Sequence, residues 1–132
     1  MGFNVGIEGF QGLKVWQKSK NLAVLVYKLT DSEKFRRDFV FKNQLRRAAV
    51  SIPSNIAEGD ELGSDRQSVI FFNIAKGSAA ELLSQAIIAK EIGYIKSEDL
   101  QELDSRCTEI LKMLSKLISV RSGNNSSLTP NA

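Results

Sequence analysis

Residues 44–59 read QLRRAAVSIPSNIAEG and decide the fold, because their apolar side chains recur at helical spacing. From the preceding turn onward, these side chains stand four, three, four and four residues apart: Phe41, Leu45, Ala48, Ile52 and Ile56. That spacing places them on one face of an α-helix. We therefore predict a helix over residues 38–58, with Gly59 as the C′ residue that ends it.

Pro53 interrupts this helix. Its ring crowds the carbonyl of Ala49 and its nitrogen has no hydrogen to donate, so a proline in a helix interior causes a kink or a break. Ser51 and Ser54 flank the proline and can satisfy the freed carbonyl groups. The sequence predicts a kinked but continuous helix, and the alternative is a break into two shorter helices.

Three more segments show the same helical period, and short polar connections separate them. The four predicted helices span residues 13–29, 38–58, 64–92 and 98–121. Residues 31–34, with Asp31 or Ser32 as a cap for the next helix, and residues 59–63 are predicted loops. Because the connections are short, neighbouring helices are expected to run antiparallel. The predicted fold class is therefore all-α, an antiparallel up-down-up-down four-helix bundle.

The helix ends and core faces are also readable. Ser64 with Gln67 predicts a capping box for the third helix, Gly93 ends that helix, and Ser97 is expected to cap the fourth. The first helix carries two apolar lines: Val15, Leu22, Val26 and Leu29, beside Trp16, Ala23 and Tyr27. The fourth helix carries one core seam: Leu100, Leu103, Cys107, Ile110, Leu114 and Leu117. We expect Cys107 to be a small buried hydrophobe, not a reactive thiol.

The third predicted helix is apolar around most of its circumference. A four-helix monomer buries only one stripe of each helix, so the surplus indicates self-association. Gly77 lies in the middle of this helix, where glycine costs about 1 kcal/mol relative to alanine. Close approach of a neighbouring helix is the expected reason.

The length of 132 residues is typical of one domain. The bundle is expected over residues 10–121, after a flexible N-terminus, residues 1–9, and before a disordered tail, residues 122–132. The start of the chain does not resemble a signal peptide, and no apolar run approaches the roughly 20 residues that span a bilayer. We expect a cytoplasmic protein without a membrane partner.

The chain has one cysteine and no histidine. This composition excludes an internal disulfide and the usual zinc sites of cysteine and histidine. It also removes the commonest general acid–base residue. The sequence therefore predicts no catalytic residue, no metal and no cofactor, and a protein that is not an enzyme.

Basic residues concentrate in the first part of the chain. Up to Ile56 there are ten basic and four acidic residues, a balance of +6, whereas the remainder has eight basic and eleven acidic residues, a balance of −3. A basic segment of this kind is the electrostatic footprint expected for a protein that binds phosphate backbones. The predicted nucleic-acid-binding residues are Lys14, Lys18, Lys28, Arg36, Arg37, Lys42, Arg46 and Arg47.

The equally open alternative is a solvated helix face whose arginines pair with neighbouring acids. Arg47 is the residue expected to lie in a structural network, because it is in line with Ser51, Ser54 and Glu58. Exposed aromatic residues that can stack on bases favour RNA as the ligand. Four aromatic residues lie on predicted core-facing lines and are therefore not expected to stack on a base: Trp16, Phe41, Phe71 and Phe72.

Three motifs resemble those of a known family. Residues 13–19, LKVWQKS, resemble its opening motif; residues 44–59 resemble its central signature; and residues 72–85 resemble its third-helix motif. Over about residues 10–117 the chain is similar to the four-helix bundle proteins of bacterial 23S rRNA intervening sequences. It is more distantly similar to the accessory variability determinant of diversity-generating retroelements.

The resemblance implies an antiparallel four-helix bundle that assembles into a ring-shaped homopentamer and has no enzymatic activity. The distant relatives bind nucleic acid together with a reverse transcriptase, so RNA or DNA and such a protein partner are implied. Arg46 and Arg47 match the arginine pair of the signature, but no role transfers with them. Residues 31–35 depart from the family's Phe-Pro-containing loop, which leaves the geometry of this loop open.

Two functions therefore follow from the sequence. The first is a non-enzymatic nucleic-acid-binding accessory protein, RNA being the favoured ligand, that acts as a ring-shaped homo-oligomer through a basic surface on the first two helices. The second is a protein-interaction or structural assembly module without nucleic-acid binding.

Overall fold

A computed structural model describes residues 9–62 and 64–123 of the chain. A short 3₁₀ turn and five α-helices make up this part: the turn at Gly9–Gly12, α1 at Lys14–Leu29, α2 at Glu33–Arg37, α3 at Phe39–Glu61, α4 at Asp65–Glu91 and α5 at Ser97–Arg121. The predicted flexible N-terminus and disordered tail lie outside the described residues, apart from Gly9, Ser122 and Gly123.

The four long helices form the bundle. α1 packs beside α3 and α5, and α4 packs beside the same two helices, so the four surround one core. α3 and α4 run antiparallel. The Ser51 hydroxyl lies 2.8 Å from that of Ser78, whereas Ser68, nearer the start of α4, donates to the carbonyl of Gly59, nearer the end of α3. The predicted all-α, antiparallel four-helix bundle is confirmed.

The predicted loop at residues 31–34 was wrong in part, because the short helix α2 begins at Glu33. Its Phe35 side chain is fully buried, edge-to-face with Tyr94 at 5.0 Å between ring centroids. The polar residues around it suggested a loop, but this one aromatic anchor fixes the segment on the bundle end. The Tyr94 hydroxyl donates to Asp38 at 2.9 Å, and this hydrogen bond raises the pKa of Tyr94.

Asp38 also caps α3, since its carboxylate accepts from the backbone N–H of Phe41 at 3.3 Å. The prediction that the Asp31 or Ser32 side chain caps the next helix was wrong, because neither accepts a capping hydrogen bond. Ser32 stands at the N-cap of α2 but makes no side-chain capping bond. Asp31 instead accepts from Arg36 through its backbone carbonyl.

α3 is continuous through Pro53, as predicted. The Ser51 hydroxyl does not donate to the freed carbonyl of Ala49. It pairs instead with the Ser78 hydroxyl and accepts from the Asn55 amide at 2.9 Å. Ser54 is exposed. The serine nearest the proline on its N-terminal side therefore links α3 to α4.

The predicted end of this helix at Glu58 was wrong, because α3 continues to Glu61 and Gly59 lies inside it. Gly59 is buried, and a Cβ built on it would lie 2.7 Å from Cε1 and 2.9 Å from Cδ1 of Phe72 on α4. Glycine is needed here for the close approach of two helices, not for a left-handed conformation at a helix end.

The ends of α4 match the prediction more closely. Ser64 accepts from the backbone N–H of Gln67 at 3.2 Å. At the other end Gly93 has φ +84°, and the N–H groups of Gly93 and Tyr94 donate to the carbonyls of Lys90 and Ala89. This pair of hydrogen bonds is the Schellman motif, in which a glycine usually occupies the position with the left-handed backbone conformation.

The predicted cap of α5 was displaced by one residue. Lys96 is the N-cap and Ser97 is the first helical residue. The Asp99 carboxylate accepts from the backbone N–H of Lys96 at 3.1 Å. This hydrogen bond, and not one to a serine side chain, stabilises the start of the helix.

The core contains most of the predicted apolar faces. On α5, Leu103, Cys107, Ile110 and Leu114 are buried, while Leu100 and Leu117 pack at the edge. Burial, together with the nearby Asp104 carboxylate, raises the pKa of the Cys107 thiol to about 12, as expected for an inert buried cysteine.

Replacing Gly59 by alanine tests the close approach of α3 and α4. The new methyl group overpacks the contact with Phe72, which typically costs about 1–3 kcal/mol. The better helix propensity of alanine offsets about 1 kcal/mol. We expect Gly59→Ala to lower the free energy of unfolding, measured by urea denaturation, by up to about 2 kcal/mol.

The double variant Gly59→Ala/Phe72→Leu is the control. Because the shorter leucine leaves room for the methyl group, its loss of stability should be smaller than the sum of the two single losses. Additive effects would show that Phe72 does not restrict residue 59.

Candidate nucleic-acid interface

The structure separates the eight predicted basic residues into groups. Lys14 begins α1 at the far end of the bundle from α2, and Lys18 pairs with Glu109 of α5 at 3.2 Å. These two lysines therefore do not join the others. Lys28, Arg46 and Arg47 come together where α1 packs on α3, near the end of the bundle that carries α2.

Arg46 is the anchored member of this group. Its Nε donates to Thr30 Oγ1 at 2.8 Å and its Nη2 donates to the carbonyl of Tyr27 at 3.2 Å. Its guanidinium also lies over the Tyr27 ring, 4.2 Å from the centroid. Arg46 thus connects the start of α3 to the end of α1, and these interactions fix its position.

Arg47 is the accessible member. The expectation that Arg47 lies in a structural network was wrong, because its side chain is exposed and makes no hydrogen bond or ion pair within residues 9–62 and 64–123. Arg47 lines an open pocket of about 450 Å³ between α3 and α4, together with Gln44, Ser51 and Glu81. The sequence correctly placed both arginines on one helix. It predicted Arg47 as the anchored residue, whereas in the structure Arg46 is anchored and Arg47 is exposed.

A groove of about 680 Å³ runs between α1 and α3. Its lining residues are Lys20, Ala23, Val24, Tyr27, Lys28, Asp31, Arg46, Val50 and Pro53. A second, adjoining depression of about 610 Å³ shares Tyr27, Arg46 and Val50 with it and extends to Arg47. The α1–α3 groove, as we call the two together, has cations along it and apolar side chains on its floor.

Lys20 and Tyr27 are the groove residues that the site prediction missed. Tyr27 was expected in the core, but its side chain is 44% exposed. Lys20, Val24, Tyr27 and Lys28 are spaced four, three and one apart, so they share one helical stripe. This spacing was visible in the sequence and could have identified the groove wall.

The predicted arginines of α2 lie beyond the groove. Arg36 donates to the carbonyl of Asp31 at 3.1 Å and lies 3.7 Å from its carboxylate, and Arg37 pairs with Glu33 at 3.2 Å. Both ion pairs are exposed, and such pairs hold their partners weakly. Lys42 is half-buried, and its side chain makes no hydrogen bond or ion pair with the rest of the described chain.

The polar residues of the 44–59 signature that face α4 form a packing seam. Asn55 donates to the Ser51 carbonyl at 2.8 Å, and Ser51 bonds to Ser78. Beside it, Gln85 of α4 donates to Glu81 at 3.4 Å, while its carbonyl oxygen is buried without a hydrogen-bond partner in the described part of the chain. This side of the signature therefore holds two helices together.

The described residues include no group of three or more histidine, cysteine, aspartate or glutamate side chains placed to hold a metal ion. None of the described helices has both the length and the hydropathy of a bilayer-spanning segment.

Comparisons with known proteins agree with the motifs. The sequence model of a protein family described as 23S rRNA-intervening sequence protein matches residues 11–116. The chain is also similar to a crystal structure of a protein of unknown function from the S23 ribosomal protein family of Bacteroides thetaiotaomicron. The two are 30% identical with a TM-score of 0.73, and the match covers 79% of this chain and 97% of the other. No curated protein matches the chain.

The unequal roles of Arg46 and Arg47 give a stability test. Arg46→Gln removes charged hydrogen bonds to Thr30 and Tyr27 and a cation–π interaction, so we expect it to lower the free energy of unfolding by about 1–2 kcal/mol. Arg47→Gln, the matched control, should change it by less than about 0.5 kcal/mol. Urea denaturation measures both. Equal losses, or a larger loss for Arg47→Gln, would contradict the assignment.

Proposed function

This chain belongs to the family of 23S rRNA-intervening sequence proteins, and we propose that it is a non-enzymatic accessory protein that binds the phosphate backbone of RNA. The observation that carries this proposal is the α1–α3 groove, where Lys20, Lys28, Arg46 and Arg47 line one continuous surface. Lys14 and Lys18, which were predicted to take part, lie outside this surface and are left out of it.

The chemistry of the groove suits phosphate. Arginine presents a planar fork that binds phosphate through two hydrogen bonds, and lysine adds point charges. Lys20, Lys28 and Arg47 make no ion pair within the described residues, and Lys20 Nζ has only a long contact with the Trp16 ring, 6.0 Å from its centroid. Their charges are therefore available to a ligand. Among the described residues, Asp31 is the one carboxylate lining the groove, and Arg36 approaches it to 3.7 Å.

We also propose that the protein acts as a ring-shaped homo-oligomer, with five copies as the number that the family resemblance implies. The support is an apolar stripe on the outer face of α4, which we call the α4 stripe. It contains Ile70, Ile74 and Ile88, which stand at helical spacing and are about half exposed. Gly77 lies in this stripe, and apart from its own turn of helix no atom of the described chain is within 4 Å of a Cβ built there. The predicted close approach to Gly77 was therefore wrong within one chain, and a second copy is the partner that accounts for it.

Assembly and binding support each other physically. A ring repeats the groove, so several weak phosphate sites act together through their effective concentration. The alternative function, a protein-interaction or assembly module, needs the α4 stripe but not the charges of the groove. A reverse transcriptase is the candidate protein partner that the family resemblance implies.

Charge removal in the groove tests RNA binding. The triple variant Lys20→Gln/Lys28→Gln/Arg47→Gln keeps the anchored Arg46 and removes three accessible charges. For single-stranded RNA we expect weaker binding and a log–log salt slope shallower by about 0.7 for each phosphate that the variant no longer neutralises. Fluorescence anisotropy over a range of salt concentrations measures both.

The matched control is Arg66→Gln/Lys112→Gln/Lys116→Gln, which removes the same charge from exposed positions of α4 and α5. It should bind with nearly the affinity of the unchanged protein. Equal weakening in both variants would indicate a net-charge effect, and no binding of the unchanged protein at low salt would leave the assembly function.

Disrupting the α4 stripe tests assembly. Ile74→Glu/Ile88→Glu places charges at the centre of the proposed interface, so light scattering at micromolar concentration should show a mass several times that of one chain falling to that of a monomer. Val120→Glu, at an exposed apolar position of α5, is the control and should keep the larger mass. A monomeric unchanged protein would overturn the ring.

A further inference from the structure

The aromatic side chain in the α1–α3 groove belongs to a surface that the described chain leaves partly open, with the Arg46 guanidinium 4.2 Å from the Tyr27 ring centroid. Tyr27 is 44% exposed, and on either side of it the apolar Val24 and Val50 are 47% and 41% exposed. Three large apolar side chains left open between lysines and arginines cost hydration free energy unless a ligand covers them. The groove therefore combines an apolar floor with a charged rim.

The rim is placed at both ends of the floor. Lys20 lies two turns before Tyr27 on α1, whereas Lys28 and the anchored Arg46 lie at the other end. A ligand complementary to this arrangement has a flat apolar part between anionic groups. An unpaired nucleotide segment has that chemistry, because its bases offer π-faces and its phosphates carry the charge.

From this geometry we infer that Tyr27, with the Arg46 guanidinium held against it, is a stacking platform for an unpaired base, so that the protein prefers single-stranded RNA to duplex RNA. The inference rests on the proposed function and names the class of RNA that the same groove takes. Arg46 is already fixed by Thr30 and by the Tyr27 carbonyl, so the platform is ordered before the ligand arrives. Preorganisation lowers the entropy cost of binding.

Duplex RNA cannot use this platform. Its bases are stacked inside an A-form helix whose deep major groove does not admit side chains, so only its phosphates and 2′-hydroxyls reach a protein surface. The charges of the groove attract both forms of RNA, but the Tyr27 ring contributes to single-strand binding alone. The charge and the ring can therefore be tested separately.

The experiment measures the affinities of the full chain for a fluorescent single-stranded RNA of about 12 nucleotides and for a duplex of the same length, a size that single-strand-binding sites cover. For Tyr27→Leu we expect the single-strand affinity to fall about fivefold or more. The duplex affinity and the salt slope should stay unchanged. Tyr27→Phe keeps the ring and should bind as the unchanged protein does. Phe39→Leu, at another exposed aromatic residue outside the groove, should also leave binding unchanged.

Ultraviolet crosslinking of the single-stranded RNA gives an independent readout. We expect the crosslink in the tryptic peptide of residues 21–28, which contains Tyr27. A crosslink confined to other peptides, or equal affinity of the unchanged protein for both RNAs with no effect of Tyr27→Leu, overturns the inference and leaves phosphate binding intact. Absence of binding to either RNA at low salt overturns the proposed function together with it.

Two further outcomes also overturn the inference. A lower mass of Tyr27→Leu in light scattering would show that a second copy of the chain covers the groove. Binding of an acidic peptide in competition with the RNA, abolished in Tyr27→Leu, would assign the groove to a protein ligand.

Discussion

The close approach of α3 and α4 is the constraint on which the rest of the molecule depends. Gly59 makes this approach possible, because any side chain at that position would enter the space of the Phe72 ring. The hydroxyl pair of Ser51 and Ser78 fixes the register of the two helices further along. With one side of α3 held against α4 and the core, the turn that carries Arg46, Arg47 and Val50 is left on the outer surface beside α1.

The same constraint explains how a packing helix also carries a candidate binding surface. Arg46 points back to α1 and is bonded to Thr30 and Tyr27, so it sets the width of the α1–α3 groove and orients the exposed ring. Arg47, one residue later, is turned toward solvent and the pocket beside Glu81. Two adjacent arginines thus differ in their surroundings because a helix turns by about 100° per residue. Arg46 builds the groove, whereas Arg47 is exposed to solvent.

The sequence predicted the four helices and most of their core faces, because apolar spacing is a local property. It failed at Gly59, Tyr27 and Phe35, where tertiary contacts decide the outcome. Gly59 near a predicted helix end was interpreted as a terminator, because the sequence does not show that the Phe72 ring packs against it. A tyrosine on an apolar line looks buried until the groove beside it is seen. Phe35 anchors α2 through Tyr94, which is distant in sequence.

Hydrogen–deuterium exchange with and without single-stranded RNA tests the central claim, that α1 and α3 present the ligand surface while α4 presents the assembly surface. The account predicts that RNA slows exchange in residues 20–28 and 43–50. It also predicts that residues 70–88 exchange slowly in both states and faster in Ile74→Glu/Ile88→Glu. Protection by RNA that falls on residues 70–88, with no change in residues 20–28 and 43–50, would contradict it.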